Sequence, residues 1–449
     1  MPLHRFLWTG YCLFHALGQR RVPFVRPGRW KGLQRKRVKQ IVTHAYESVR
    51  FYRSYMIGKG LGPSDFNSAL DLRKLPLISK ETLMKNPESF LSTHFQKSQC
   101  LELRTGGTTG EPASIWHDPQ SLILQLAYGE RERAVITRLL KKNLGYRVMG
   151  FTYPGSVFET ILRFYDHSLF LPRWARPNRV IASTANPLSS NLDFLNQYKP
   201  DVLVTYGSYL GALFRYAIRH RKKIHKPKIA IYGADSLSEA DRQLLEEDLR
   251  IGILSNYGAC EALKIGFMCE LGKGFHLHPD LCVLSVINEK RQSVRPGERG
   301  EIVISNLLNR ATVLLNYRLG DLAILDQRPC ECGRTFPLLQ SLEGRREDII
   351  ELPDGNTVHP RLVWSVFKKR PEIQRYQVVQ QGPWSFAVKV LPVEGINVKT
   401  LEEGLKREFE SLFGVQAQID IVFVNAFPPT GLAKFRAVVS RKTEEDRKC

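Results

Sequence analysis

The chain has 449 residues, 43% hydrophobic and 10% aromatic, which argues against wholesale disorder and is enough for a large core. At about 150 residues per domain, this length allows two to four domains. The net charge of +22 would suit nucleic acid, but no nucleic-acid-binding module accompanies the basic run RHRKKIHKPK at 219–228. We therefore predict no nucleic-acid partner. We interpret the charge as a solvated basic face that attracts anionic substrates, with an anionic membrane surface as the alternative.

The first stretch, MPLHRFLWTGYCLFHALGQRR, predicts an amphipathic helix. It is shorter than the ~20 residues of a membrane span, and it has no small-residue cleavage site that would indicate a signal peptide. At helical spacing one face carries Leu3, Phe6, Leu7, Tyr11, Phe14 and Leu17, with Arg5, Arg20 and Arg21 beside it. We predict a cytoplasmic protein in which this helix docks on the protein itself. A helix lying peripherally on a membrane is the alternative.

Strand and helix patterns alternate between about residue 101 and residue 350, after a helical, loop-rich beginning. The segments DVLVTYGS (201–208) and KIAIYGADS (228–236) predict buried strands that end in glycine turns, each followed by a helix. The helix LSEADRQLLEEDLR has Ser238 as its predicted N-cap. This repetition predicts an α/β sheet that binds ligands at its strand ends.

The later part of the chain has a different pattern. PGERGEIVISNLLN and TVLLNYRLGDLAIL predict antiparallel strands, and after residue 344 a hairpin, a helix and a further strand follow. We therefore predict a large multi-layer α/β domain of residues 1–344 and a small α+β domain of residues 345–449.

A loop rich in glycine and threonine, RTGGTTGEP, follows a predicted strand. Its backbone N–H groups and hydroxyls are hydrogen-bond donors, and its glycines let phosphate oxygens approach closely. It lacks the Gly-Lys-Ser/Thr ending of a Walker A loop. Taken alone, it could equally be a plain connection. The candidate phosphate-binding residues are Thr105, Gly106, Gly107, Thr108, Thr109 and Gly110.

Four further motifs follow in order: SNYGACEA (255–262), NYRLGDLA (316–323), EGRREDII (343–350) and FPPTGLAKFRAVVS (427–440). Together with the loop they resemble the adenylate-forming superfamily, and most closely the phenylacetate–coenzyme A ligase family with its capsular-polysaccharide branch. The resemblance extends from about residue 101 to residue 440. It implies that ATP activates a small carboxylic acid as an acyl-adenylate, and that a small mobile C-terminal domain rotates between the two half-reactions.

The resemblance also assigns the nucleotide contacts. It implies that the ring of Tyr257 lies along adenine and that the backbone of Gly233, Ala234 and Asp235 covers the other side. Asp321 matches the carboxylate that binds both ribose hydroxyls. Each of these residues alone could be structural, Tyr257 in the core and Asp321 in a turn, but their joint order favours the functional interpretation.

Two residues are implied to be catalytic. Glu261 matches the acidic residue that helps to hold Mg²⁺, and Lys434 matches the lysine that bridges the α-phosphate and the carboxylate. Residues 105–110 would clamp the β- and γ-phosphates, and Arg345 would lie by the ribose or a phosphate. A non-catalytic nucleotide-binding descendant is the alternative from another class, although it would have no use for Lys434.

The sequence departs from the family pattern at three places. Cys260 stands where threonine or serine is usual, and a thiol is a weaker hydrogen-bond partner. The hinge acid falls at Glu347, where aspartate is usual. The turn ELPDGNTVHP has Pro353 and Asp354 where coenzyme A-dependent relatives have small residues. We therefore predict an amine or hydroxyl acceptor, as expected for surface-polysaccharide biosynthesis, with an ordinary acyl-CoA ligase as the alternative.

Two cysteine-containing pairs predict a structural metal site. CELGKGFH contributes Cys269 and His276, and PCECGRTFP contributes Cys330 and Cys332. Three thiolates and an imidazole suit tetrahedral Zn²⁺, and a closed set of four has no open position for catalysis. Buried cysteines without a metal are the alternative interpretation, and His278 is a competing ligand.

Overall fold

The computed structural model describes residues 3–105, 113–152, 154–171, 177–184, 186–326, 328–345, 350–354, 357–358, 362–363, 366–367, 370, 372–427 and 436–440. The described chain divides into two compact units. Among the described residues, the large unit comprises 3–105, 113–319 and 323–341, and the small unit comprises 320–322 and the residues from 342 onwards. Within the described residues, no helix combines the length and the apolar character that crossing a membrane requires.

Eleven α-helices have both ends within the described part of the chain. They are α1 (Leu3–Ala16), α2 (Pro27–Ser48), α3 (Arg50–Gly58), α4 (Lys80–Lys85), α5 (Pro119–Tyr128), α6 (Glu130–Leu140), α7 (Val157–Ser168), α8 (Leu188–Tyr198), α9 (Gly207–Arg219), α10 (Glu239–Gln243) and α11 (Val398–Phe413). The predicted N-cap is observed, because the Ser238 hydroxyl accepts a hydrogen bond from the Asp241 N–H at the start of α10. A single π-helical turn, Leu244–Asp248, continues this helix.

The strands run from the first third of the chain to its end. They are β1 (Leu101–Arg104), β2 (Ser114–His117), β3 (Arg147–Thr152), β4 (Asn178–Ser183), β5 (Val202–Tyr206), β6 (Ile229–Gly233), β7 (Gly252–Tyr257), β8 (Gly266–Met268), β9 (Phe275–Leu277), β10 (Cys282–Ile287), β11 (Arg299–Asn306), β12 (Tyr317–Asp326), β13 (Leu338–Arg345), β14 (Ile350–Glu351), β15 (Thr357–Val358), β16 (Ile373–Gln380), β17 (Ser385–Pro392), β18 (Gln418–Phe423) and β19 (Val438–Val439).

One sheet of eleven strands organises the large unit, in the order β10-β11-β12-β13-β9-β8-β7-β6-β5-β3-β4. Its β4-β3-β5-β6-β7 half is parallel, and β7-β8-β9-β13 continues antiparallel. Strands β5 and β6 are each followed by a helix, α9 and α10, as the sequence predicts. The predicted α/β class is confirmed. The carboxyl ends of the parallel strands therefore meet at one edge, where α/β proteins bind ligands.

The small unit contains a four-stranded sheet with the order β18-β17-β16-β19 and the helix α11. Strands β16 and β17 form the predicted antiparallel hairpin, while β17–β18 and β16–β19 pair in parallel. Helix α11 buries Leu401, Leu405, Phe409 and Phe413, spaced four residues apart along one face, against this sheet. This α+β unit has its own hydrophobic core.

A buried ion pair joins helices to the sheet region of the large unit. The Arg131 guanidinium of α6 contacts the Asp280 carboxylate at two points, 2.7 Å and 2.8 Å, and Arg37 of α2 donates to the same carboxylate at 3.0 Å. Burial alone would raise the pKa of Asp280, but the two guanidinium groups outweigh it and hold that pKa well below its usual range. Asp280 is thus a fixed negative charge between α2 and α6.

Helix α1 docks on the large unit, but with a different face from the one that the sequence predicts. Arg5 donates to the backbone carbonyls of Asp166 and Leu169, and the Thr9 hydroxyl exchanges hydrogen bonds with the Phe170 backbone. The predicted apolar face includes Phe6, Leu7, Phe14 and Leu17, which are exposed. The docked side instead carries the polar groups of Arg5 and Thr9, which satisfy partly buried backbone groups as a purely apolar face could not, and of the predicted face the Phe6 ring also contacts Phe170.

Candidate active site

Two predicted nucleotide-contacting segments lie at neighbouring strand ends. Tyr257 is the last residue of β7 and Gly233 is the last residue of β6, and these strands are parallel partners. A Cβ atom at Gly233 would lie 3.2 Å from the carbonyl oxygen of Asn256, so glycine suits this close approach. The Tyr257 side chain is buried, with its ring centroid 6.1 Å from that of Phe275. The chain therefore juxtaposes the tyrosine and the glycine turn at the edge where α/β proteins bind ligands.

The backbone after β6 is strained. Ala234 has φ of +69°, in the left-handed region that alanine rarely occupies. The next carboxylate, Asp235, accepts hydrogen bonds from the Gly207 N–H, the Ser208 N–H and the Ser208 hydroxyl at the start of α9. The Asp235 side chain thereby holds the turn in place. The backbone of the turn is then the part that could contact a ligand. Strained backbone of this kind is concentrated at functional sites.

The motif after β7 forms a tight turn built on close backbone contacts. A Cβ atom at Gly258 would lie 2.1 Å from the Leu263 carbonyl oxygen, so no other residue fits there without a backbone shift. Leu263 has φ of +61°, and its N–H donates to the Ala259 carbonyl. This turn carries Cys260 and Glu261 and fixes their direction.

Glu261 is a buried carboxylate held from two sides. The Asn306 side-chain amide donates to its backbone carbonyl at 2.9 Å, and the Tyr317 hydroxyl hydrogen-bonds its carboxylate. Burial, the charge of Glu261 and this hydrogen bond all raise the pKa of Tyr317, so the tyrosine remains a neutral donor. Sequence analysis missed both supporting residues. Tyr317 lies four residues before Asp321 in the motif NYRLGD. Its place beside a predicted ribose-binding residue is the sequence signal that could have identified it.

Cys260 connects this turn to the base of the glycine- and threonine-rich loop. Its thiol lies 3.4 Å from the backbone carbonyl oxygen of Arg104, the residue before Thr105. Thr105 and Ala113 close the base of the loop, through Thr105 N–H to Ala113 carbonyl and Ala113 N–H to Thr105 hydroxyl, both 2.9 Å. The unusual cysteine thus has a defined contact in the large unit, beside the start of the predicted phosphate clamp.

A further residue missed by sequence analysis is His117, at the end of β2. Its Nε2 lies 2.8 Å from the Cys260 carbonyl oxygen and, because a carbonyl only accepts, this nitrogen donates. Burial lowers the pKa of His117 to about 4, so the ring is neutral near pH 7. His117 therefore positions the turn that carries Glu261, without contributing a charge.

The other predicted site residues are only partly described. Asp321 lies in β12 and is partly exposed, and the backbone of Arg345 ends β13. The loop residues 106–110, the hinge acid Glu347 and the lysine Lys434 lie outside the described residues. Pro353 and Asp354 are exposed and lie in the turn between the paired strands β14 and β15.

The four predicted metal ligands come together in the large unit. One ligand atom from each of Cys269, His276, Cys330 and Cys332 lies within 4.8 Å of every other. The Sγ atoms of Cys269 and Cys330 are 3.9 Å apart. Two thiolates on one tetrahedral Zn²⁺ would be separated by about 3.8 Å, given Zn–S bonds of ~2.3 Å. The donor set and its spacing therefore fit zinc.

His278, the competing ligand, has other partners. Its Nε2 lies 3.2 Å from the Glu132 carboxylate and its Nδ1 lies 3.3 Å from Arg131. The described metal-ligand cluster does not include it. His276, from β9, occupies the ligand position instead, with its Nε2 3.3 Å from the Cys332 sulfur.

A surface cavity of about 360 Å³ lies at the ends of β3 and β4. Its charged side chains are already paired, Arg163 with Glu159 at 2.5 Å and Arg179 with Asp166 at 2.8 Å. The lining therefore offers no unsatisfied charge that would identify a ligand.

Comparisons with known proteins agree with this geometry. The CapK C-terminal domain family matches residues 350–441. A phenylacetate-coenzyme A ligase of Thermus thermophilus is 25% identical over 381 residues, 81% of each chain, and that of Escherichia coli K12 is 24% identical, covering 89% of this chain and 92% of its own. The solved structure of a 2-hydroxyisobutyryl-CoA ligase in the postadenylation state superposes with a TM-score of 0.75 over 96% of this chain and 94% of its own, at 16% identity.

The large sheet, the small α+β unit and these relatives together define an adenylate-forming ligase. Over most of its length the chain is similar to phenylacetate-coenzyme A ligases, at 22–25% identity.

Proposed function

We propose that the protein activates a small carboxylic acid with ATP. One carboxylate oxygen attacks the α-phosphorus, the bond to the β-phosphate breaks, and pyrophosphate leaves with its electron pair. A nucleophile then attacks the acyl carbonyl, loses its proton, and displaces AMP from the acyl-adenylate. The first half of this reaction needs a nucleotide site and stabilisation of the negative charge on the phosphates.

The observation that carries this proposal is the arrangement at the end of β7. Tyr257 lies beside the strained turn that follows Gly233, and the next turn presents the buried Glu261. Cys260 links that turn to the base of the loop at Thr105. An aromatic ring and a buried carboxylate in neighbouring turns, next to the residue at which a donor-rich loop begins, are the parts that binding a nucleotide with its metal requires.

Glu261 is the residue that would hold the Mg²⁺ accompanying ATP. A hard carboxylate oxygen is the ligand that Mg²⁺ prefers, and the Tyr317 hydroxyl orients this one. When bound, the ion neutralises phosphate charge. Lys434 would supply the second cation, between the α-phosphate and the attacking carboxylate.

The acceptor is proposed to be an amine or a hydroxyl, in surface-polysaccharide biosynthesis. The match of residues 350–441 to the CapK C-terminal domain supports this assignment, and so do Pro353 and Asp354 in the β14–β15 turn, where a thiol channel would need small residues. The second candidate is transfer to coenzyme A. It is favoured by the names of the four curated relatives, all phenylacetate-coenzyme A ligases of 22–25% identity.

We also propose that Cys269, His276, Cys330 and Cys332 hold a structural Zn²⁺. Four protein ligands leave no open coordination position, so the ion would take no part in acyl transfer. It would join the β8–β9 region to the loop between β12 and β13.

The test of the proposal is carboxylate-dependent ATP–pyrophosphate exchange, screened over aromatic, aliphatic and hydroxylated acids. Exchange with at least one acid, lost in Glu261→Gln and retained in the surface variant Glu88→Gln, is expected. ATP binding without exchange with any acid would instead support a nucleotide-binding protein with no ligase activity.

A further inference from the structure

Helix α1 presents an apolar stripe away from the protein body. Five large side chains on α1 and at the residue that follows it are between 46% and 76% exposed: Phe6, at the edge of the stripe with its ring also against Phe170, Leu7, Leu13, Phe14 and Leu17. They recur at helical spacing, so they form one continuous strip, and Gly10, at the middle of the strip, has no heavy atom within 4 Å of its Cβ position. Single exposed apolar residues are ordinary on a protein surface, but a contiguous strip marks an interaction site.

The helix is not able to bury this strip by rolling onto the body. Its opposite face is engaged by Arg5 and Thr9, which bond the backbone after α7. Tyr11, at the edge of the predicted apolar face, is also engaged, because its hydroxyl accepts a hydrogen bond of 2.8 Å from Gln120. Beyond the helix, Gln19 accepts from the buried Arg131 at 2.9 Å. Rotation would break all of these contacts, so the apolar strip is a fixed feature.

The charge carried by the segment itself is of one sign. The first 46 residues contain ten lysines and arginines and no acidic residue. Three of these bases have partners in the protein: Arg5 with backbone carbonyls, Arg20 with Glu130, and Arg37 with Asp280. The other seven are exposed: Arg21, Arg26, Arg29, Lys31, Arg35, Lys36 and Lys39.

We propose that residues 3–39 bind the surface of a lipid bilayer that contains anionic phospholipid. The apolar strip of α1 would enter the boundary between headgroups and acyl chains, and the exposed bases would attract the anionic headgroups. Stable membrane binding takes two such signals, and this segment has both. A nucleic acid would use the bases but not the strip. A second copy docked through α1 would bring two equally basic segments together, which their repulsion opposes.

The test uses the full-length protein and sedimentation with sucrose-loaded vesicles. One set contains phosphatidylcholine alone and the other phosphatidylcholine with phosphatidylglycerol. We expect binding to the mixed vesicles and a steep loss of binding as salt is raised, because salt screens charges beyond a Debye length. Leu7→Gln with Phe14→Gln should weaken binding at least about tenfold by removing apolar burial. Arg21→Gln with Arg26→Gln should weaken it about fivefold for each base removed.

The matched control is Ile57→Gln with Leu70→Gln, two exposed apolar residues outside α1, which should bind as the wild type does. Equal binding of wild type and the Leu7/Phe14 variant would overturn the proposal, as would equal binding to both vesicle types. A wild-type dimer in light scattering that this variant dissociates would assign the strip to a second copy instead. All variants should keep ATP–pyrophosphate exchange, so a failure of membrane binding is distinguishable from a failure of the ligase proposal.

Discussion

The hydroxyl of Tyr317, at the start of β12, hydrogen-bonds the carboxylate of Glu261, in the turn after β7. This contact joins two motifs that lie more than fifty residues apart in the chain. It holds a buried carboxylate in one orientation by a neutral donor, because the pKa of Tyr317 is raised by its burial and by Glu261. If Glu261 binds the metal that accompanies ATP, Tyr317 is its positioning residue.

We expect Tyr317→Phe to raise the Mg²⁺ concentration needed for half-maximal ATP–pyrophosphate exchange. A hydrogen bond to a charged group is worth about 1.5–3 kcal/mol, so the shift should be roughly 10–100-fold. Titration of exchange with Mg²⁺ measures it. If Tyr317 had a purely structural role, Tyr317→Phe would instead lower the denaturation midpoint, and the folded fraction would need the same Mg²⁺ concentration as the wild type.

Lys434→Ala should abolish most of the adenylation step. Removing one group that stabilises transition-state charge typically costs ~10²–10³ in rate. The control is Lys399→Ala, an exposed lysine at the start of α11 in the same unit, which should behave as the wild type. Pyrophosphate exchange at a near-normal rate in Lys434→Ala would refute its assignment.

The cluster of three cysteines and His276 should contain one zinc ion per chain. Cys330→Ser should lose that ion and lower the thermal unfolding midpoint, because metal binding to a folded site contributes directly to folding free energy. The control Cys100→Ser, which changes a cysteine outside the cluster, should retain both the zinc ion and the wild-type unfolding midpoint. Elemental analysis of protein purified without chelator measures the ion, and a metal-free wild type would contradict the prediction.

Neutralising Asp280 in the buried Arg131–Asp280 pair should destabilise the large unit. Asp280→Asn leaves the Arg131 guanidinium buried without its counter-charge, at a cost of about 3–5 kcal/mol in the free energy of unfolding. Glu88→Gln, which removes an exposed ion pair with Lys97, should cost under about 1 kcal/mol. Denaturant unfolding compares the two.

The pH dependence of that pair has a definite sign. The folded-state pKa of Asp280 is lowered, so its stabilisation is fully present above the unfolded value, about 3.9, and is lost as pH falls through the lower folded value. The difference in denaturation midpoint between wild type and Asp280→Asn should therefore be constant from neutral pH to about pH 5 and shrink only below pH 4. A difference that already shrinks near pH 6 would assign the effect to another group.

Acyl transfer to coenzyme A should be slower than transfer to the best amine or hydroxyl acceptor. Misplacing a nucleophile by about 1 Å can cost ~10²-fold, and on our proposal Pro353 and Asp354, in place of small residues, hinder the approach of the thiol. The measurement compares kcat/KM for coenzyme A with that for a panel of amino sugars and amino acids. Pro353→Gly with Asp354→Gly should raise thioester formation selectively. Rapid thioester formation by the wild type would make the protein an ordinary acyl-CoA ligase.

Much of the architecture could be read from local patterns. The strands at 202–206 and 229–233, the Ser238 cap, the β16–β17 hairpin and helix α11 all follow from apolar periodicity and turn residues. Motif order alone indicated the family, because each motif is a short contiguous segment. The spacing of Cys269, His276, Cys330 and Cys332 likewise indicated one metal site, since cysteine and histidine pairs are rare enough to be specific.

Only the tertiary structure decided which face of α1 docks and which partners orient Glu261. The apolar periodicity of α1 is clear in the sequence, but the body offers backbone carbonyls after α7, and hydrogen bonds to Arg5 and Thr9 select the opposite face. Tyr317 meets Glu261, and His117 meets Cys260, because the strand that begins at Tyr317 and the strand that ends at His117 both lie beside one turn. Contacts between residues so distant in the chain depend on strand order. Apolar periodicity does not encode strand order, because it indicates which residues are buried but not which residues they contact.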